Sequence, residues 1–198
     1  MGYILIKKRK DSMNDETNYK KKDFAWNDHE KNQRINIPSP YKIKILDDLS
    51  LRIELETILN ELPQKQLANW AITNSQRFKQ YFDNKLKDDK RIKETEKILE
   101  NRINGTCSAY HLRKAGFLAN ELAKESETEI SKYSARVFAQ SIAVGHMRGH
   151  AIVSSDYAIK VINIIYPNSL ERVIAEREKQ IVIAKQISKF RIKTDNKV

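Results

Sequence analysis

The chain has 198 residues, 40% apolar and 32% charged, which suits one domain with a real core beneath a heavily charged surface. The net charge is +11, but residues 1–44 hold 11 Lys/Arg against 6 Asp/Glu and residues 185–198 hold 5 against 1, while residues 45–184 hold 21 against 19. A strongly cationic folded face is therefore excluded, and nucleic-acid attraction is expected only as a weak, nonspecific property of the basic tails.

A single cysteine, Cys107, excludes an internal disulfide framework and a zinc site built on cysteines. Glycine (5) and proline (4) are scarce, and residues 64–166 contain no proline, which favours helices over punctuated sheets. MGYILIKKRK lacks the charge-first order and the long apolar run of an export signal, and no stretch is long enough to span a membrane. A cytoplasmic protein is expected.

Residues 1–44 read as a basic leader, largely disordered or irregular, because their apolar content is too small to offset ordering entropy. Phe24 and Trp26 are candidate local anchors, and YKIKIL (41–46) alternates like a short strand. From Asp47 the period becomes helical: Leu51, Leu55, Ile58 and Leu62 share a face until Pro63 stops them. A second helix is expected from Gln64 to Phe82, with Leu67, Trp70, Ala71, Phe78 and Phe82 inward. The third starts at a cap on Asp88 or Asp89, buries Ile92, Leu99 and Ile103, and stops at Gly105. The fourth, about 106–125, carries Leu112, Ala115, Gly116, Ala119, Leu122 and Ala123 on one face.

Residues 130–166 differ, with apolar or small side chains on nearly every face, as in a helix surrounded by partners. Their length predicts a bend or break near the glycines or at Ser154–Ser155. Pro167 closes the segment, and a last helix buries Leu170, Val173, Ile174, Ile181 and Ala184. The fold class expected is all-α, a compact bundle of about five or six helices around a central Ala/Gly-rich helix. The domain spans 45–190, followed by a basic tail, 191–198, expected like the leader to be flexible.

His146 and His150 are four apart, the helical spacing at which two imidazoles can grip one metal ion. The H-E-x-x-H pattern requires a glutamate where this chain has Met147, so that chemistry lacks its base. A third ligand would have to be His111, Asp156 or Glu121. The competing reading places Ala135, Ala139, Ile142, His146, His150, Val153 and Tyr157 on one stripe. Gly145 and Gly149 beside it would admit a neighbouring helix, and the histidines would be hydrogen-bonded struts at the seam.

Arg113, Arg136 and Arg148 fall on interior-looking segments, and Asp156 is the only acid between Ile130 and Tyr166. An Arg–Asp pairing between or within helices is expected there, with Tyr157 a further polar candidate; the alternative is a groove that holds an acidic ligand. Cys107 at the start of the fourth helix has no Cys–His–acid order around it. NGT (104–106) is a turn rather than a phosphate loop, so no catalytic residue, cofactor or enzymatic activity is expected.

Trp70-Ala71 with Phe78 and Phe82, then HLRKAGFLANELA (111–123) and SARVFAQSIAVGHMRGHAIVSSDYAIKVI (134–162), resemble the putative immunity protein family of bacterial polymorphic toxin systems. That family's A-R-x-A-x-Q-A…H-x-x-x-H-A…Y-A helix is matched at or near Ala135, Arg136, Ala139, Gln140, Ala143, His146, His150, Ala151, Tyr157 and Ala158. EREKQ (176–180) is similar to its closing E-R-x-x-Q. Val137–Phe138 and Val153–Ser155 depart from the family's richer alanine content. The resemblance covers roughly residues 62–187 and implies an all-α bacterial protein whose partner is a protein toxin.

Overall fold

Side-chain caps start several helices in the computed structural model, which describes residues 37–195, with side chains to Lys189. Asp48 accepts from Leu51 N at the head of α1 (Leu49–Glu61), and Pro63 separates α1 from α2 (Gln64–Gln76). The second helix is shorter than its sequence suggested. After Gln76 the chain tightens into a 3-10 turn, Lys79–Tyr81, which still turns Phe78 and Phe82 into the interior. A one-turn helix, α3 (Asn84–Lys87), leads to α4 (Lys90–Ile103), which is capped by Asp89.

Gly105, at φ +75°, ends α4 as expected. Its N–H donates to Arg102 O, and Thr106 N–H reaches back to Asn101 O, the paired bonds that a left-handed residue permits. Ser108 caps α5 (Ala109–Glu125) and Thr128 caps α6 (Glu129–Ala143). The central segment is then interrupted, and α7 (His150–Ile165) and α8 (Leu170–Asp195) complete the body. Among the described residues no strand forms, and no helix is long and apolar enough to cross a membrane.

The fold is all-α, as the sequence implied, but the 130–166 segment is two helices. The break falls at the glycines, not at Ser154–Ser155. With only six residues between them, α6 and α7 fold back on each other, joined by Ser154 Oγ donating to Val137 O at 2.9 Å. The central position is therefore shared: α6 packs on α2, α5 and α7, and most of its side chains are buried. The single stripe from Ala135 to Tyr157 does not exist, because His146 lies in the turn. The close approach is found at Gly145, where an added Cβ would lie 2.3 Å from Leu112 Cδ2 and 2.8 Å from Leu99 Cδ1, both of them buried leucines with little room to move.

Two further expectations change. YKIKIL is no strand: Ile45 packs on Ile159, Ile162 and Val173, while the Asn163 amide holds both the N–H and the C=O of Leu46, at 2.8 and 3.1 Å. The last helix runs past residue 190 to Asp195. The leader's residues 1–36, with Phe24 and Trp26, and the end of the tail, 196–198, lie outside the described residues, so the expectation of nucleic-acid attraction rests largely on residues the structure does not describe.

Asp156 pairs with Arg177 of the EREKQ run and with Arg52, which the sequence did not single out. Its carboxylate is 1% exposed and accepts from Arg52 Nε and Nη2, both at 3.0 Å, and from Arg177 Nη2 at 2.8 Å. Arg177 also donates to Asp47, and Arg52 to Glu56. Burial works against charge on both guanidiniums, but the hydrogen bonds and the negative charges around them outweigh it and raise both above the usual arginine value. The cluster joins α1, α7 and α8. Asp156→Ala would leave two buried cations short of their shared anion, and a loss of about 3–5 kcal/mol is expected in denaturant unfolding. A loss below about 1 kcal/mol would contradict this placement.

Candidate functional site

The turn at 144–149 is fixed by polar side chains from two helices and by its own Arg148. Val144 O accepts from Gln64 Nε2 at 2.5 Å, and Gly145 O from Arg102 Nε at 3.4 Å. In the other direction, Arg148 Nη2 reaches the carbonyls of Leu59, Asn60 and Leu62 at 2.8–3.1 Å, where α1 ends and its carbonyls need donors. Arg148 is thus a buried cap on α1.

This turn walls one end of a pocket of about 480 Å³. Arg113, Gly116, Phe117 and Asn120 enter from α5, and Arg136, Ala139, Gln140 and Ala143 from α6; His146, Met147 and His150 close it. The two helices pack side by side here, where a Cβ added at Gly116 would rest in ordinary contact, 3.5 Å, with that of Ala143. The floor is small and apolar, while Phe117 and Met147 remain 60% and 47% exposed at the mouth.

The polar side chains are held in place. Arg136 Nη1 donates to Asn120 Oδ1 at 2.7 Å, and the Arg113 guanidinium lies 5.6 Å from the Phe117 ring centre. His146 and His150 come together with ring centroids 5.0 Å apart. His150 Nδ1 is 2.6 Å from Gln140 Oε1, which places the proton on Nδ1 and leaves Nε2 as an acceptor. Burial, with a contribution from the neighbouring His146, pushes the His150 pKa down to about 4, so the ring is neutral at neutral pH.

Of the residues that the sequence suggested, Arg113, Arg136, His146 and His150 meet in this pocket, and the others are elsewhere. Tyr157 packs near Tyr133, with centroids 6.1 Å apart, beside the buried Phe78 and Val137. His111 sits at the head of α5 with Nδ1 2.9 Å from Ser108 Oγ, and Glu121 pairs with Lys124. Among the described residues no three of His, Cys, Asp and Glu gather as a ligand set. Burial pushes the Cys107 thiol up, the opposite of an activated thiolate. Phe117 was not singled out in the sequence and Met147 only as the residue in place of a catalytic glutamate, although Phe117 stands off the buried face of α5, and an aromatic out of register is a readable signal.

The His150 environment has a sign that can be tested. Its folded pKa lies below its unfolded value of about 6.5, so the unfolded chain takes up a proton first as pH falls. Stability is complete above pH 6.5 and should decline toward pH 4 by up to about 3 kcal/mol. His150→Asn, which keeps a donor for Gln140, should flatten that part of a stability-against-pH curve; an unchanged slope would refute the assignment.

The match to a family model covers residues 57–187 and includes the whole pocket, Asp156 and the EREKQ run. No curated protein and no solved structure matches the chain. The family's description is "Imm-5 like putative immunity protein", and this chain, matched from within α1 to within α8 across about two thirds of its length, belongs to that family.

Proposed function

We propose that the protein neutralises a cognate bacterial toxin in the cytoplasm by direct protein–protein contact and catalyses no reaction. Family membership supports an immunity role in general. The observation that carries the contact mechanism is the pocket itself, a concavity rimmed by an exposed phenylalanine, an exposed methionine and two arginines. Aromatic, Met and Arg side chains are the types enriched where proteins bind one another, and central anchors of this kind dominate affinity. Blocking a toxin needs a complementary surface rather than a reaction centre. A metal held by His146 and His150 draws less support, because two guanidiniums share the pocket and no third donor of the usual types joins them among the described residues.

The test is to seek a toxin-like reading frame beside this gene and to co-express its product with this protein; the absence of such a frame would count against the proposal. Growth should be restored and the two proteins should co-elute as a complex. A toxin that remains fully active in the presence of excess protein would end the proposal.

A further inference from the structure

We propose that the pocket receives an acidic side chain of the toxin, its carboxylate held between Arg113 and Arg136 and its flanking apolar surface resting on Phe117 and Met147. The inference rests on the immunity reading and adds the chemistry of the partner.

The first observation is how the arginines are used. Among the described residues Arg52, Arg77, Arg91 and Arg177 each pair with a carboxylate of this chain, Arg102 and Arg148 are spent on backbone carbonyls, and the exposed Arg172 lies over the Tyr166 ring outside the pocket. Arg113 and Arg136 share one pocket, and among the described residues neither forms an ion pair. Arg136 gives one hydrogen bond to the neutral Asn120 amide, and Arg113 lies against an aromatic ring. A guanidinium carries five N–H donors in a planar fork that suits a carboxylate, so most of this donor capacity is not engaged by those contacts.

The second observation is the lining. Among the described residues no aspartate or glutamate lines the pocket, and the remaining wall is alanine, glycine, amide and imidazole. An incoming anion would meet attraction without a competing charge from the wall. The low-polarity floor would strengthen a charge-assisted pair relative to one in open water.

The third is the mouth. Phe117 and Met147 expose apolar surface beside the cations, so the complementary feature is a carboxylate next to apolar side chains, the composition of a protein surface. A nucleic-acid backbone would offer repeated phosphates and would be served by cations spread along a track. Here the two cations converge on one cavity.

Calorimetry with the toxin identified by co-expression tests this. Arg113→Glu should weaken binding by about 30-fold or more, and Arg136→Gln by at least about 10-fold. Lys114→Glu makes the same charge change one residue away, outside the pocket, and should cost less than about 3-fold. Charge reversal of the toxin's acidic surface residues to Arg should yield one position that restores binding to Arg113→Glu. The Arg113 side chain is exposed, so an unchanged melting temperature separates lost contact from lost fold. If the wild-type protein forms no complex, the immunity reading itself fails. If the complex forms and both arginine variants bind normally, or if Lys114→Glu weakens it as much as Arg113→Glu, the pocket proposal is overturned and immunity stands. Arg113-dependent binding of a short single-stranded oligonucleotide that displaces the toxin would also overturn it.

Discussion

One carboxylate placed between two buried guanidiniums organises this molecule. Asp156 takes Arg52 from α1 and Arg177 from α8, while Asp47 and Glu56 supply further negative charge, so neither cation is left alone in the core. Ion pairs of this kind contribute little net stability over a well-packed apolar core, but a broken one is costly, and that asymmetry favours one register of the three helices. The cluster extends beyond charge. Gln180 bridges Arg177 and Glu176, Glu176 holds Arg77, and the Gln180 carbonyl accepts from the buried Trp70 indole. Glu176, Arg177 and Gln180 are the E-R-x-x-Q residues, and here they serve as internal struts.

The polar residues of the body therefore fall into two physical groups. Asp156 with Arg52 and Arg177 holds α1, α7 and α8 together, whereas Arg136, Gln140, His146 and His150 line the pocket against α5. The same run of residues, 135–158, feeds both because α6 and α7 fold back from a buried turn and bury different faces.

Much of the fold was legible because helix ends are local chemistry. Asp89 caps, Gly105 adopts the left-handed conformation, and Pro63 separates two helices, all within a few residues of the feature they set. The pocket was half legible. The arginines and histidines could be named, but His146 and His150 meet across a turn rather than along one helix face, so helical spacing gave the neighbourhood for a different geometric reason. The pairing of Asp156 was not legible, although Arg177 stood in the quoted EREKQ run. Arg52 lies 104 positions away, and next to the helical stripe led by Leu51 and Leu55 an arginine reads as a solvated side chain. The alternation in YKIKIL was real, since Ile45 does turn inward, but the partner is one asparagine amide rather than a second strand.

The polar fastening of the 144–149 turn bears on how a partner would be met. Its carbonyls are occupied by Gln64 and Arg102, and its own Arg148 is anchored under the end of α1. The backbone carrying His146 and Met147 is thus preorganised before any encounter, and association has little main-chain entropy left to remove there. Affinity at that wall becomes a matter of shape and charge fit, and a mismatched visitor finds no pliable loop to accommodate it.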